Sequence, residues 1–339
     1  MAQRDALPIA TVLALLIIGV LSTIPTSVRS IGVCYGMNGN NLPSKADVVK
    51  LYQSKGITAM RIYGPDSATL AALKGTNIKL IMDVGNSNLG SLASSSSAAA
   101  SWVKDNVQAY YPGVSIKYIA VGNEVTGSDT SKILPAMKNI YSALSSAGLQ
   151  NSIKVSTAVS TAVIGTSYPP SKGAFSSDAS SYMTPIVQYL SQIGAPLLAN
   201  VYPYFSYVGN KGSISLDYAL FTSSGTVVTD GSNKYQNLFD AMVDALYSAM
   251  EKVGGSNVGI VISESGWPSA GGDSATVSNA QKYNQNLINH VGKGTPKKST
   301  ALETYIFAMF NENQKSAGIE QNWGLFYPNK QPVYSIIFK

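Results

Sequence analysis

Segments of continuous or alternating apolar residues and segments with a helical apolar period follow one another along the chain. Eight segments have the pattern of short, buried strands. These strand candidates are Ile31–Gly36, Ala59–Gly64, Lys79–Gly85, Ile116–Val125, Lys154–Ser160, Leu197–Phe205, Val258–Glu264 and Glu303–Glu312. Helical patterns lie between them, for example in Ser44–Lys55, Ser131–Ala147, Tyr182–Ile193, Tyr235–Val253 and Asn279–Val291. The pattern therefore predicts a regular strand–helix alternation from residue 31 onward.

The helical segments have an apolar face and a stop signal. In Tyr235–Val253, residues such as Leu238, Met242 and Ala249 recur at the spacing of one helix face. Glycine residues follow several of these segments, at Gly56, Gly148, Gly194 and Gly254. Glycine at that position ends a helix because it adopts the left-handed conformation without steric cost.

Eight strands in alternation with helices favour a parallel sheet that closes as a single-domain (β/α)8 TIM barrel of the α/β class. An open, doubly wound sheet is the competing fold. It usually has fewer strands, and the stretch after the first strand, Gly36–Gly39, does not fit a dinucleotide-binding loop. Residues 206–234 form a long insertion after the sixth strand, rich in Gly, Ser and Tyr.

The N-terminus has the pattern of a secretory signal peptide. Arg4 precedes an apolar run from Ile9 to Leu21, and small residues surround the cleavage-determining positions near Ser30. The apolar run is too short for a membrane span, which needs about 20 residues. We therefore expect residues 1–30 to be a signal peptide and residues 31–339 to be the catalytic domain.

The expected location is extracellular, in the apoplast or cell wall. The vacuole stays as the alternative. We expect no membrane association.

Composition narrows the possible partners. Charged residues are 12% of the chain, against roughly 25% in an average soluble protein. Neutral polar residues take their place, which suits a neutral, hydroxyl-rich ligand. The net charge of +6 is scattered, with Lys297–Lys298 as the one doublet of basic residues, so no nucleic-acid partner is expected. A monomer is the default expectation.

Composition also narrows the chemistry. The chain has one cysteine, Cys34, and one histidine, His290. A zinc site or a Ser-His-Asp triad is therefore not expected, and we expect no metal and no cofactor. The composition therefore leaves the carboxyl groups of Asp and Glu as the candidate catalytic groups.

Three glutamates stand at the ends of predicted strands. Glu124 ends the fourth strand, Glu264 the seventh and Glu312 the eighth. The carboxyl ends of barrel strands are where active sites lie. Strands four and seven face each other across an eight-stranded ring, so Glu124 and Glu264 could cut a glycosidic bond together. A separation of about 5–5.5 Å would give retention of anomeric configuration, and about 6.5–9.5 Å would give inversion.

Five longer motifs carry a resemblance to a known family. They are IGVCYG (31–36), YIAVGNEV (118–125), NVYPYFSY (200–207), VGIVISESGWPSAG (Val258–Gly271) and AMFNENQK (308–315). They resemble glycoside hydrolase family 17, the family of plant glucan endo-1,3-β-glucosidases, over the whole of residues 31–339. The resemblance implies a (β/α)8 barrel and retaining hydrolysis of internal β-1,3 bonds in a β-glucan. The chain ends at Ile337–Lys339 without the C-terminal extension that vacuolar relatives in this family carry, which favours secretion over the vacuole.

The resemblance also implies residue roles. Glu124 would be the acid/base, Glu264 the nucleophile, and Asn123 would bind the 2-hydroxyl of the sugar. Arg61 would keep the nucleophile ionised. The residues expected to line the site or bind substrate are Tyr35, Tyr63, Tyr202, Phe205, Phe310, Glu312, Lys315 and Glu320. Strand alternation places Tyr202 on one face with Tyr204, and Trp323 is a further aromatic residue expected at the rim.

Two other functions stay open. One is a 1,3;1,4-β-glucanase of the same family, with specificity set by segments such as 166–181 and 206–234. The other is a wall-glucan-binding defence protein without turnover. The intact glutamates and their neighbours favour the enzyme. Members of the family serve plant defence and cell-wall remodelling, and the sequence does not separate these roles.

Overall fold

Residues 31–338, which the computed structural model describes, contain a closed barrel of eight parallel strands. The barrel strands are β1 (Ile31–Cys34), β2 (Ala59–Ile62), β3 (Lys79–Asp83), β4 (Ser115–Asn123), β5 (Lys154–Ser160), β6 (Leu197–Asn200), β7 (Ile260–Ser265) and β8 (Thr304–Ile306). Each strand pairs in parallel with the next, and β8 pairs with β1 to close the ring. The predicted fold class is confirmed.

The predicted signal peptide, residues 1–30, lies outside the described residues. None of the helices within residues 31–338 is both long and apolar enough to span a bilayer.

Helices surround the barrel and occupy the connections. The α-helices are α1 (Lys45–Lys55), α2 (Ser67–Leu73), α3 (Leu89–Ser94), α4 (Ser96–Val103), α5 (Thr130–Ser146), α6 (Ser177–Ile193), α7 (Pro203–Gly209), α8 (Leu216–Ala219), α9 (Leu238–Lys252) and α10 (Val277–His290). Single turns of 3₁₀-helix lie at Asn86–Asn88, Gly127–Asp129, Thr161–Val163, Pro170–Lys172, Val291–Lys293 and Ile319–Gln321, and a π-helical turn at Lys104–Gln108.

The helix ends follow the sequence signals. At the start of α1, the Ser44 hydroxyl accepts a hydrogen bond from the Asp47 backbone N–H at 3.2 Å, which satisfies a donor that has no partner inside the helix. Gly56 after α1 and Gly194 after α6 adopt the left-handed conformation, with φ of 70° and 60°. The predicted glycine stops are therefore present.

The core fills the barrel and the layer between barrel and helices. Strands such as β1, β2 and β6 are buried along their whole length, as expected for a parallel sheet covered on both faces. Helix α9 is also largely buried. The insertion after β6 contains α7, α8 and a small antiparallel sheet of Val228–Asp230 and Asn233–Tyr235, and a second small sheet pairs Ile164–Thr166 with Ala174–Phe175.

The strand ends differ from the sequence prediction. The sixth strand was predicted to reach Phe205 but ends at Asn200, because Pro203 begins α7. Proline has no N–H to give to a sheet ladder and is favoured at the first position of a helix. The eighth strand was predicted as Glu303–Glu312 and covers only Thr304–Ile306. Tyr202 and Tyr204 therefore do not share a strand face.

Candidate active site

A cleft of about 820 Å³ lies at the carboxyl ends of the barrel strands. It brings together most of the residues predicted for the site. Those that line it are Tyr35, Tyr63, Asn123, Glu124, Tyr202, Phe205, Glu264, Glu312, Lys315 and Glu320. Residues from connections distant in sequence thus meet at one cleft. Tyr35, which was predicted to bind substrate, is completely buried beneath the cleft and has no exposed area for a substrate contact.

Glu264 lies at the end of β7 and is only 6% exposed. Its Oε1 accepts hydrogen bonds from Arg61 Nη1 at 2.9 Å and from the Tyr63 hydroxyl at 2.7 Å. Its Oε2 accepts from the Tyr202 hydroxyl at 2.5 Å. Three donors stabilise the negative charge of this carboxylate and fix its orientation toward the cleft.

The two tyrosines act as donors because they keep their protons. Burial, the largest cause, raises the pKa of both Tyr63 and Tyr202 well above its ordinary value, and the negative charge of Glu264 raises it further. A phenol in this setting is neutral at every physiological pH. Its hydrogen bond to Glu264 is therefore present throughout the working range of the protein.

Arg61, on β2, is completely buried beneath the cleft. Its guanidinium binds both carboxylate oxygens of Asp83, from Nε at 3.1 Å and from Nη2 at 2.8 Å. Besides Glu264, it also donates to Asn200 Oδ1 at 3.1 Å and to Asn123 Oδ1 at 2.9 Å. The planar fork of arginine suits this set of acceptors, which a single ammonium could not reach together.

Glu124 follows β4 in a different environment. Its side chain is open to the cleft, and its Oε1 accepts a hydrogen bond from Asn200 Nδ2 at 2.8 Å. Partial removal of water by the surrounding protein, the largest cause, and the charge of Glu264 raise the pKa of Glu124. A carboxyl group in this position holds a proton to higher pH than an ordinary glutamate.

The backbone that holds Glu124 is unusual. Gly122 has φ of 91° and Glu124 has φ of 50°, which is uncommon for a residue with a side chain. The Glu124 N–H donates to the Ala158 carbonyl of β5 at 2.9 Å, and Asn86 Oδ1 accepts from the Asn123 N–H at 2.9 Å. Hydrogen bonds from two neighbouring segments thus hold this strained turn in place.

A second cluster of charged side chains lies elsewhere in the cleft. Lys315 Nζ lies 3.5 Å from Glu312 Oε2 and 3.8 Å from Glu320 Oε2. The Asn38 backbone N–H donates to Glu312 Oε1 at 2.8 Å. A Cβ on Gly36 would lie 2.3 Å from the Glu312 carboxylate, so this position has no space for a side chain.

Aromatic rings form part of the cleft wall. Phe205 is 49% exposed and lies 5.7 Å from Tyr202 and 5.8 Å from Trp323, measured between ring centroids. Exposed rings of this kind suit the apolar faces of sugar rings. Phe310, which was predicted to bind substrate, is instead buried and packs edge-on against Tyr35 at 6.3 Å.

Tyr204 is also placed differently from the prediction. It is buried, its hydroxyl donates to the Asp273 carbonyl at 3.0 Å, and it packs against Trp267. The turn into α7 directs it away from the cleft, whereas Tyr202 lies in the cleft. Tyr204 therefore supports the loop after β7 rather than the cleft surface.

Several residues of the site were not predicted. Asp83 and Asn200 are the carboxyl-terminal residues of β3 and β6, and their partner is Arg61. The Ser263 hydroxyl donates to Asn200 Oδ1 at 2.7 Å, and Phe307 lies under Lys315 at 4.3 Å. A polar residue at the end of a buried strand was the available signal for Asp83 and Asn200.

Comparisons with known proteins show which family the chain belongs to. Residues 31–338 match the model of the family described as glycosyl hydrolases family 17. The chain is 62% identical over 340 residues to a glucan endo-1,3-beta-glucosidase, acidic isoform, of Zea mays, with 100% of both covered. It is 54% identical over 315 residues to a basic vacuolar isoform of Nicotiana plumbaginifolia, covering 91% of this chain and 86% of that protein.

A solved structure is also similar. It comes from a study of two plant beta-glucan endohydrolases with distinct substrate specificities. The TM-score is 0.89 at 57% identity, and the alignment covers 91% of this chain and 100% of that one. The fold of this chain is thus shared with a solved structure that is also similar in sequence.

Proposed function

Because the chain belongs to glycosyl hydrolases family 17, as its motifs predicted, and is a glycoside hydrolase, we propose that it cleaves internal β-1,3 bonds of β-glucans with retention. The observation that supports this most directly is the unequal environment of two carboxyl groups in one cleft. Glu264 accepts hydrogen bonds from three donors, whereas the pKa of Glu124 is raised. One group is suited to attack and the other to give a proton.

In the first step, Glu264 attacks the anomeric carbon and forms a covalent ester with it. The bond from that carbon to the leaving oxygen breaks, and Glu124 gives its proton to this oxygen. Tyr63, Tyr202 and Arg61 position the nucleophile, since all three donate to its carboxylate before substrate binds.

In the second step, water replaces the ester. Glu124, now ionised, takes a proton from the water, whose oxygen bonds to the anomeric carbon while the bond to Glu264 breaks. Two displacements restore the original configuration. Asn123 uses its Oδ1 for Arg61 and Asn200, which leaves its Nδ2 to donate to the 2-hydroxyl of the sugar.

Endo-hydrolysis is supported by the form of the cleft. It extends from the first two βα connections, near Asn38 and Asp66, to Phe205 and Trp323, so a chain can lie across it. We also propose that residues 1–30 direct the protein out of the cell and that residues 31–339 act there as a monomeric catalytic domain. The vacuolar relative makes the vacuole the alternative to be tested by localising the tagged full-length protein.

Azide rescue tests the two catalytic assignments. We expect Glu124→Ala and Glu264→Ala to lower turnover of a β-1,3-glucooligosaccharide by at least about 10²–10⁴-fold. On an aryl β-glycoside, whose phenolate leaves without needing a proton, azide should give a β-glycosyl azide with Glu124→Ala, because it attacks the glycosyl ester on Glu264. It should give an α-glycosyl azide with Glu264→Ala, because it replaces the nucleophile. NMR distinguishes the products, and near-wild-type turnover of Glu264→Ala would contradict the assignment.

Linkage preference is tested with linear β-1,3-glucan and with mixed 1,3;1,4-β-glucan side by side. We expect faster release of reducing ends from the linear β-1,3-glucan. The reverse order would favour the mixed-linkage alternative. Binding of either polymer by the wild-type protein without new reducing ends would favour the non-catalytic alternative and overturn the proposal.

A further inference from the structure

A second cavity, of about 390 Å³, joins the catalytic cleft at Glu124. We call it the side groove. It lies between the loop after β4, the end of β5 and the first turns of α6. Glu124, Ser160 and Ala162 line both cavities, so the two adjoin at the residue assigned to protonate the leaving oxygen.

The lining of the side groove resembles that of a sugar site. Its floor contains the buried side chains of Ile133, Val159 and Ala179. Its rim contains the hydroxyl residue Thr126 and the partly exposed ring of Tyr182. An apolar floor with an aromatic ring and polar groups at the rim matches a sugar, which has apolar faces and hydroxylated edges.

Because the two cavities adjoin at these residues, two paths lead away from Glu124. A linear glucan bound at Glu124 follows only one of the two paths that leave this point. A glucosyl unit that carries a substituent needs both, one for the continuing chain and one for the substituent. In a β-1,3-linked unit, the 6-hydroxyl is the free hydroxyl on a flexible exocyclic carbon, so a substituent there can turn into a side groove.

We propose that the side groove binds a 6-linked glucosyl branch on the first unit of the leaving fragment. This rests on the proposed function, since Glu124 faces the leaving side only if it protonates the leaving oxygen. The protein would then cleave a branched glucan immediately before a branched unit. The released fragment would have its branch on the backbone unit at its new non-reducing end.

The experiment compares two substrates, a linear β-1,3-glucooligosaccharide and the same backbone with one 6-O-glucosyl branch. With the wild-type protein, mass spectrometry and NMR of the products should locate the branch on the non-reducing backbone unit of the leaving fragment. If the linear substrate is hydrolysed and the branch never occupies that unit, the inference is wrong while the proposed function stands. If the linear substrate is not hydrolysed, the proposed function itself fails.

Thr126→Trp blocks the groove in this experiment. Thr126 is exposed and its extended backbone, with φ of −129°, accepts any side chain. We expect kcat/KM on the branched substrate to fall about tenfold, which corresponds to about 1.4 kcal/mol. Hydrolysis of the linear substrate should change less than about twofold.

Ser128→Trp is the matched control, since Ser128 is exposed in the same loop and does not line the groove. It should leave the rates on both substrates unchanged. An equal fall on both substrates with Thr126→Trp would mean that the groove holds the main chain. Unchanged rates on both would mean that the groove is not used, and either result overturns the inference.

Discussion

At the scale of single residues, the two glutamates differ through their neighbours rather than through their own chemistry. Glu264 has an arginine and two tyrosines at hydrogen-bond distance. Glu124 has one amide, from Asn200, and the charge of Glu264 nearby. The hydrogen bond from Asn200 lowers the pKa of Glu124, but partial burial and the charge of Glu264 outweigh it. Identical side chains therefore have different environments in one cleft, and the pKa of Glu124 is raised.

Removal of the charge on Glu264 should lower the pKa of Glu124. In Glu264→Gln the neighbouring negative charge is gone, so the ionised form of Glu124 becomes less unfavourable. Burial, the larger cause, is unchanged, so the pKa should stay above its ordinary value. A ¹³C NMR titration of the Glu124 carboxyl measures this without requiring activity.

Tyr63→Phe is the control for this titration, because it removes a donor to Glu264 and keeps the charge. The pKa of Glu124 should be similar to that of the wild type in this variant. The same pKa in Glu264→Gln as in the wild type would contradict the electrostatic account. In wild-type kinetics, kcat/KM should fall as pH rises through the pKa of Glu124, because the leaving oxygen then lacks its proton.

At the scale of elements, the turn after β4 determines where the acid lies. Near the end of β4 the chain passes through Gly122, in a conformation with positive φ, and Glu124 follows two residues later. The hydrogen bond from the Glu124 N–H to Ala158 holds the turn against β5. The position of the acid thus depends on backbone geometry that only glycine adopts without cost at position 122.

Gly122→Ala should distort this turn. The added Cβ would lie 2.8 Å from Val125 Cγ2, and the backbone φ of 91° is unfavourable for alanine. We expect a loss of about 1–3 kcal/mol in the free energy of unfolding. We also expect a fall in kcat that exceeds any change in KM, since the acid moves while the rest of the cleft is intact. Urea denaturation and steady-state kinetics measure the two effects.

Gly209→Ala serves as the comparison. Gly209 is the exposed last residue of α7, and a Cβ there meets no atom within 4 Å. The expected change in unfolding free energy is within about 1 kcal/mol of zero. A Gly122→Ala protein as stable and active as Gly209→Ala would show that the turn does not require glycine.

Much of this element structure was predictable from the sequence, and the misses have physical causes. Apolar periodicity located all eight strands because each is buried. The aromatic run after β6 has strand-like composition, yet Pro203 begins a helix there. Strand alternation therefore wrongly predicted that the Tyr204 side chain shares a face with Tyr202. Phe310 was expected in the cleft on a strand predicted to continue to Glu312, whereas β8 ends at Ile306. Asp83 was missed because its role depends on the distant residue Arg61.

At the scale of the whole molecule, one side chain connects most of the barrel. Arg61 is the only arginine in residues 31–339, although lysines are frequent. From β2 it binds Asp83 on β3, and it also reaches residues of β4, β6 and β7. Strands on opposite sides of the ring are thus joined by hydrogen bonds at the base of the cleft. The same contacts that orient the nucleophile also hold the top of the barrel together.

Arg61→Lys should therefore reduce stability and activity together. A lysine keeps the charge but has no planar fork, so it cannot bind both oxygens of Asp83 and also reach Glu264 and Asn200. Breaking a buried ion pair on one side costs about 3–5 kcal/mol, which denaturant unfolding would measure. Lys132→Ala, which removes an exposed pair with Asp129, should cost less than about 1 kcal/mol. If kcat fell in Arg61→Lys without a loss of stability, the role of Arg61 would be only to orient Glu264. If Arg61→Lys and Lys132→Ala lowered the free energy of unfolding equally, the network would contribute little to the stability of the barrel.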